Sequence, residues 1–186
     1  MALPKIAVVN GSLRKDSINR KLALALAGLA AGKLDLQPVE LGDLPLYNQD
    51  LEADFPAAVT RVKTAIAGAD AVLFVSPEHN RSITAALKNA IDWVGRPYGQ
   101  SNWVGKAGAI IGATPGQVGT AVAQAHLRSI LVAQGVALLG RPEIYFTYKE
   151  GVFDAAHNVT DPAAKKLLQD FVDAFAGWVA KQTHRH

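Results

Sequence analysis

Two stretches of the sequence combine turn-forming residues with side chains that can bind an anion or a flat ring. The first loop, residues 11–20, reads Gly-Ser-Leu-Arg-Lys-Asp-Ser-Ile-Asn-Arg and follows an apolar run. The second loop, residues 77–82, reads Pro-Glu-His-Asn-Arg-Ser and follows the apolar run 71–75. In an open parallel sheet, loops that leave the carboxyl ends of strands meet at one edge, where ligands bind.

The first loop has donors suited to a single phosphate group. Gly11 permits a sharp turn, and Ser12, Ser17 and Asn19 have short side chains that can reach phosphate oxygens. Arg14 can add charge-assisted hydrogen bonds, and the following helix can add N–H groups from its first turn. The loop has neither the G-x-G-x-x-G dinucleotide fingerprint nor the Gly-Lys-Ser/Thr of a Walker A loop.

An ordinary helix N-terminus is the alternative interpretation of this loop. Asp16 or Ser17 would then be the N-cap residue, a role that both residue types favour. Because a carboxylate would repel a bound phosphate, we expect the Asp16 side chain to point outward.

The second loop favours a flat heteroaromatic ring. Pro77 stiffens the backbone, which can then present fixed N–H and C=O groups to the edge of a ring. His79 can stack on such a ring, and Asn80 can both donate and accept hydrogen bonds.

Other residues near the second loop have simpler structural interpretations. Glu78 is placed to form an ion pair with Arg81, and Ser82 is the simplest N-cap for the next helix. Trp93, near the end of that helix, is expected in the core or in an interface rather than in the site.

A third loop, residues 112–119, follows the apolar run 107–111. It contains Thr114, Gly116 and two further glycines, which permit close approach of the backbone to a ligand. A plain turn between strand and helix is the alternative.

Apolar, β-branched runs alternate with helical patterns along the chain. Strands are predicted at 5–10, 35–41, 71–75, 107–111 and 136–139, with an extended piece at 143–146. Helices are predicted at 18–31, 56–68, 84–94, 119–134 and 162–181. This alternation predicts an α/β doubly wound parallel sheet with helices on both faces, formed by one domain over residues 1–186.

The composition excludes several classes of protein. The 186 residues include 19 Lys and Arg against 16 Asp and Glu, a net charge of +3 without a basic run, so no nucleic acid partner is expected. Cysteine is absent, and we expect no metal site, no membrane span and no signal peptide before the first strand. These features fit a cytoplasmic protein, with a solvated tail around the histidines at 184 and 186.

The two motifs together resemble the NADPH-dependent FMN reductase family, and within it the bacterial chromate and quinone reductases. The resemblance spans roughly residues 5–146 and includes the run Leu-Lys-Asn-Ala-Ile-Asp-Trp at 87–93. It implies a flavodoxin-like fold of strand order 2-1-3-4-5, with NADPH or NADH as the reductant. It also implies FMN at the switch point between strands 1 and 3, which is where flavodoxin itself binds this cofactor.

The resemblance also assigns roles to residues of the three loops. The FMN phosphate would be held by Ser12, Arg14, Ser17 and Asn19. The isoalloxazine would be lined by Pro77, Glu78, His79 and Asn80, and its other side would be closed by Thr114 and Gly116.

Four positions depart from the family's usual residues. His79 stands in place of a tyrosine and Thr84 in place of a proline, while Val122 and Ala125 replace arginine and tyrosine. An imidazole at position 79 can become cationic between pH 5 and 8 and would then raise the flavin potential, unless it merely faces water.

The resemblance implies an oxidoreductase in which FMN carries the chemistry and no protein residue acts as a nucleophile. It implies ping-pong transfer from NAD(P)H to a small acceptor such as a quinone, chromate, an azo dye or a free flavin. A flavodoxin-type electron carrier and an interaction module without flavin are the alternatives. A homodimer or homotetramer is expected, because Ile91, Trp93, Val94, Pro97, Tyr98 and Trp103 suggest a large aromatic surface.

Overall fold

The protein, represented by a computed structural model that describes residues 2–183, alternates strands and helices throughout. The predicted tail at 184–186 lies outside the described residues. The strands are β1 Lys5–Asn10, β2 Asp35–Val39, β3 Ala71–Val75, β4 Ala107–Thr114, β5 Ala137–Leu138 and β6 Tyr145–Thr147. The helices are α1 Ile18–Leu29, α2 Ala57–Ala67, α3 Ala85–Val94, α4 Ala121–Ala133 and α5 Pro162–Thr183, with a 3-10 turn at Gln49–Leu51.

The strands form a parallel sheet of order β2-β1-β3-β4-β5, which confirms the predicted flavodoxin-like topology. β2 lies on one side of β1, and the later strands lie on the other. The order in which strands are added to the sheet therefore changes direction between β1 and β3, which is the switch point of the fold. β5 pairs with the start of β4, at Ala107 and Gly108, whereas β6 pairs with its last three residues. The long strand β4 therefore has two short partner strands, β5 at its start and β6 at its end.

The two faces of the sheet are covered by different helices. Ile6 and Val8 of β1 pack with side chains of α1 and α5, including Leu22 and Phe171. Ala7 and Val9 face the opposite way, into a core with side chains of α2, α3 and α4. Because both faces are covered, β1, β3 and β4 consist mostly of buried apolar residues, as the sequence predicted.

Two element boundaries differ from the sequence prediction in ways that affect the site. β4 continues past the predicted end at Ile111 to Thr114, because β6 pairs with its last residues and keeps them extended. The N-cap of α3 is Thr84, whose side chain accepts a hydrogen bond from the N–H of Leu87, and not Ser82 as predicted. Ser82 instead belongs to a tight turn of the second loop.

The aromatic residues around α3 are mostly core residues, so the prediction of a large aromatic surface there was wrong. Trp93 and Trp103 are each 0% exposed. The indole N–H of Trp93 donates to the carbonyl of Pro45 at 2.8 Å, because the loop after β2 covers this ring. The indole N–H of Trp103 donates to the carbonyl of Ile91 at 3.0 Å. Tyr98, by contrast, is 92% exposed.

Candidate functional site

The three loops meet at the carboxyl edge of the sheet, as predicted. The backbone N–H of Gly11 donates to the carbonyl of Val75 at 2.9 Å, so the first loop starts beside the end of β3. The N–H of Ser76 donates in turn to the carbonyl of Ile111 at 3.0 Å. Backbone bonds therefore join the three strand ends in the order β1, β3, β4.

The first loop ends in a capped helix. The Ser17 hydroxyl accepts a hydrogen bond from the N–H of Arg20 at 3.1 Å, and Ser17 is buried, so it takes the N-cap role that the sequence left open between it and Asp16. The first N–H groups of α1 have no partner within the helix and carry the positive end of its dipole. Arg14 and Asp16 are exposed, which agrees with an outward-pointing carboxylate.

Asn19 joins the first loop to β4. Its side-chain amide donates to the carbonyl of Ala113 at 2.9 Å, and its oxygen accepts from the N–H of Ala113 at 2.9 Å. Asn19 is 3% exposed. Its side chain thus satisfies both backbone groups of a residue 94 positions away, and the start of α1 is fixed against the end of β4.

The second loop contains a tight, strained turn. The N–H of His79 donates to the carbonyl of Ser82 at 3.0 Å, and the N–H of Ser82 donates back at 2.9 Å. The two residues between them, Asn80 and Arg81, have φ values of 50° and 63°, as in a type I′ turn. The left-handed conformation is unfavourable for arginine, so the fold holds this turn against its intrinsic preference. His79, Asn80 and Arg81 are all exposed to solvent.

Glu78 joins the second loop to α4. One carboxylate oxygen accepts hydrogen bonds from the N–H groups of Val122 and Ala123, each at 3.1 Å. The other accepts from the Arg81 guanidinium at 2.9 Å, which confirms the predicted ion pair. The Glu78 side chain is only 9% exposed. It caps α4 because Thr120, the residue that precedes this helix, provides no side-chain cap.

Thr84 joins the first and second loops. Its hydroxyl donates to the carbonyl of Gly11 at 2.7 Å and accepts from the N–H of Leu87 at 3.2 Å. A Cβ on Gly11 would lie 2.7 Å from this hydroxyl oxygen, so the contact requires glycine. The proline that is usual in the family at position 84 has no hydroxyl and could make neither bond. A threonine directly before α3 is recognisable in the sequence as a possible N-cap. Nothing in the sequence near Thr84 or Gly11 indicates the hydrogen bond between them.

The third loop lies close against its neighbours. A Cβ on Gly112 would lie 2.1 Å from the carbonyl oxygen of Ser76, so β3 and β4 approach closely where the second and third loops begin. Thr114 is half-buried, and its hydroxyl accepts from the N–H of Gly116 at 3.3 Å. Gly119 has a φ of 59°, and a Cβ at this position would lie 2.5 Å from the carbonyl oxygen of Tyr145 in β6, so the two backbones are in close contact.

Three side chains therefore hold the loops to each other and to the elements beside them, and we call them the three ties: Asn19, Glu78 and Thr84. Each crosses between elements that are distant in sequence. All of their bonds lie within the chain itself. Bonds within the protein therefore hold the loops in position.

The charges near the first loop favour an anion. Three cations, Arg14, Lys15 and Arg20, are exposed around the start of α1 against one exposed carboxylate, Asp16, and the first turn of this helix contains no acidic residue. Among residues 2–183, no group of three or more His, Cys, Asp or Glu side chains is placed to hold a metal ion. No helix in the same residues is long and apolar enough to cross a membrane.

These residues fit FMN. A helix N-terminus flanked by Ser12 and Arg14 provides donors for one phosphate dianion. The turn at residues 79–81 and the backbone at Thr114 and Gly116 lie at the ends of the neighbouring strands β3 and β4, at the same edge of the sheet. The predicted residues are thus brought together, although the side chains of Ser17, Asn19 and Glu78 make bonds within the protein.

Comparison with known proteins places the chain in a family of flavoenzymes. The sequence profile of the family described as NADPH-dependent FMN reductase matches residues 4–151. The chain is 50% identical over 179 residues to a 2-hydroxy-1,4-benzoquinone reductase of a Burkholderia species, covering 96% of this chain and 97% of that protein. It is 49% identical over 175 residues to a quinone reductase of Pseudomonas putida, covering 94% of each.

A solved structure agrees with these sequence matches. The flavoenzyme FerB of Paracoccus denitrificans, an NAD(P)H:(acceptor) oxidoreductase, superposes with a TM-score of 0.94 at 47% identity. The match covers 97% of this chain and 99% of FerB. The chain belongs to the NADPH-dependent FMN reductase family.

Proposed function

We propose that this protein is an FMN-dependent NAD(P)H oxidoreductase that reduces quinones by a ping-pong mechanism. The observation that carries the proposal is the set of three tied loops at one sheet edge, with phosphate donors on the first and a projecting ring-binding turn on the second. The names of the relatives support the same activity. Chromate and other small acceptors are further candidates at the same site.

The phosphate would be held by Ser12, Arg14 and the backbone N–H groups at the start of α1. Ser17 and Asn19 contribute by fixing this helix end, Ser17 through its cap and Asn19 through its bonds to Ala113. An arginine that remains charged at every physiological pH suits a phosphate dianion, and the dipole of α1 adds to its effect. Arg14 is exposed and not part of the core, so its side chain is available for this role.

The ring would be bound by residues 77–80 on one side and by Thr114 and Gly116 on the other. Pro77 and the paired backbone groups of His79 and Ser82 fix the shape of the second loop. Glu78 holds that loop against α4 and does not point its charge at the ring, because both carboxylate oxygens already accept hydrogen bonds. His79 is exposed, so NAD(P)H and then the acceptor would approach the ring from this side.

Bound FMN would supply the two-electron chemistry by accepting hydride from NAD(P)H and passing the electrons on. The net reaction takes NAD(P)H, one proton and a quinone to NAD(P)⁺ and the hydroquinone. The protein residues bind and orient the reactants and need not form a covalent bond with them. We propose a cytoplasmic location, since the reaction consumes NAD(P)H.

Two measurements test the proposal. The purified protein should contain noncovalent FMN, about one per chain, and cofactor released by acid that migrates as FAD would contradict it. Steady-state oxidation of NADPH and NADH with 1,4-benzoquinone should give parallel double-reciprocal lines. A flavodoxin-type carrier would instead show no turnover with NAD(P)H, and the net charge of +3 argues against a carrier that docks on basic partners.

We also propose that the protein assembles as a homodimer or homotetramer. Tyr98, Val104 and Val132 are 92%, 69% and 66% exposed. Val104 lies against Gly135 just beyond the end of α4, so it and Val132 expose apolar surface at the same end of this helix. A monomeric mass by light scattering at micromolar concentration would rule the assembly out.

A further inference from the structure

The net positive charge of the protein is concentrated at the start of α1, in residues 14–21, which we call the cationic patch. The patch has a charge of +3, because it contains four cations and one carboxylate: Arg14, Lys15, Arg20 and Lys21 against Asp16. The whole chain contains 19 Lys and Arg against 16 Asp and Glu. Removing the four cations and the one carboxylate leaves 15 of each sign, so the rest of the chain is neutral.

Neighbouring side chains do not neutralise the cationic patch. Within residues 2–183, seven other Lys and Arg side chains form ion pairs with carboxylates, whereas no side chain of the patch does so. Arg14, Lys15 and Arg20 are exposed, and Lys21 is half-buried. The charge of the patch therefore acts on the solvent around the first loop.

The cationic patch surrounds the residues that would bind the phosphate. Arg14 and Lys15 lie in the first loop, and Arg20 and Lys21 lie in the first turn of α1, on either side of the N-cap Ser17. The dipole of α1 has its positive end here and adds to the same field. The potential is consequently most positive beside the loop that has donors for a phosphate group.

The size of this charge indicates which anion the cationic patch serves. A phosphate monoester carries about −2 at neutral pH, so a bound FMN phosphate would lower the charge of this region from +3 to about +1. NAD(P)H or chromate that approaches the loaded protein would then meet little of the original attraction. The full charge acts only on the anion that enters the empty site, which is FMN.

We infer that Lys15, Arg20 and Lys21 attract FMN from solution and accelerate its association, whereas Arg14 holds the phosphate after binding. The inference rests on the proposed function and adds to it a kinetic role for three exposed or half-buried cations. A field of one sign at a binding site can raise association rates by about 10- to 1,000-fold. The gain decreases with salt, because the screening length falls from about 30 Å at 0.01 M to about 8 Å at 0.15 M.

The test measures the association of FMN with the cofactor-free protein by stopped-flow, from the change in flavin fluorescence on binding. The patch variant loses three cations but keeps the backbone contact of α1 with Ser17: Lys15→Gln, Arg20→Gln and Lys21→Gln. The matched control variant loses three exposed cations outside the patch that form no ion pair within residues 2–183: Lys5→Gln, Lys165→Gln and Lys181→Gln. Both variants therefore have the same net charge.

At about 10 mM salt, the association rate constant of the patch variant should be about tenfold below that of the wild type, while the control variant stays close to the wild type. At high salt all three proteins should associate at similar rates. The dissociation rate constant should change little, because the three side chains act before binding, whereas Arg14→Ala should dissociate faster. Riboflavin, which lacks the phosphate, should associate at a rate that neither salt nor the patch variant changes.

A variant that conserves charge separates the effect of charge from the effect of side-chain shape. Lys15→Arg, Arg20→Lys and Lys21→Arg together should associate with FMN as the wild type does, and slowing as large as in the patch variant would overturn the inference. An association rate that does not depend on salt, or equal slowing in the patch and control variants, would also overturn it and leave the proposed function intact. If the wild type binds no FMN at any salt concentration, the proposed function itself fails, and the inference with it.

Discussion

The first and second loops bind their neighbours in opposite ways. In the first loop the polar side chains at its end turn inward, since Ser17 and Asn19 are buried and bonded to backbone groups. In the second loop the inward contact comes from Glu78 near its start, and the tip at residues 79–81 projects and is strained. The first loop is therefore a rigid helix end, whereas the second is a projecting turn held at its base.

On the proposed function, this difference separates residues that hold the loops in place from residues that would contact the ligand. Arg14 is among the exposed residues of the first loop, and the exposed part of the second loop is the turn at residues 79–81. A mutation of a buried tie should lower stability, and a mutation of an exposed residue should lower affinity. Four sets of variants test this separation, in decreasing order of the change in free energy that we expect.

Asn19→Ala should reduce the free energy of unfolding by about 2–4 kcal/mol, because it leaves both backbone groups of Ala113 buried without partners. Urea denaturation of the cofactor-free protein measures the change. Arg14→Ala serves as the reference for an exposed residue of the same loop. Equal stability of these two variants would contradict the role of Asn19 as a tie.

Arg14→Ala should show the opposite behaviour. FMN binding should weaken by about 1.5–3 kcal/mol, the contribution of a hydrogen bond to a charged group, while unfolding of the cofactor-free protein stays unchanged. Fluorescence titration of the apoprotein gives the dissociation constant. Lys15→Ala, at the neighbouring exposed cation, controls for the general loss of positive charge. An unchanged FMN affinity in Arg14→Ala would remove this residue from the phosphate site.

Thr84→Val should destabilise the protein by about 1–2 kcal/mol, the usual range for loss of an N-cap. It removes the bonds to Gly11 and Leu87 while it keeps the side-chain volume. Thr84→Ser keeps the hydroxyl and should recover most of the stability in thermal or urea unfolding. If the serine and valine variants unfold alike, the hydroxyl is not what joins the two loops.

Arg81→Gly and Arg81→Ala measure the strain in the second loop. Both variants lose the ion pair with Glu78, but only glycine adopts a φ near 63° without steric cost. The glycine variant should therefore be the more stable by about 1 kcal/mol, which is the reverse of their order in a helix. Urea unfolding of the two variants decides the point, and an alanine variant as stable as the glycine variant would mean that the turn relaxes.

Local patterns in the sequence were enough to predict the alternation of strands and helices and the meeting of the three loops. The apolar runs and the helical periods between them predicted the parallel sheet, and the family resemblance added its strand order. The Glu78–Arg81 pair was predictable because its members are three residues apart. Such features depend on residues that are close in sequence.

The ties were not predictable in the same way. Asn19 and Ala113 are 94 positions apart, and Thr84 and Gly11 are 73 apart, so nothing near either residue indicates its partner. Serine and asparagine at a helix start suit both a ligand and a backbone partner, and only the packed structure distinguishes these roles. Trp93 was counted toward an aromatic surface for the same reason, because Pro45 in the loop that covers it lies 48 positions earlier.

The three ties also lead to an expectation about the order in which the holoenzyme is assembled. Since Asn19, Glu78 and Thr84 bond to other parts of the chain, we expect the protein to fold before FMN binds. FMN would then enter a site that is already folded, and protein stripped of FMN should accept a synthetic flavin of different potential.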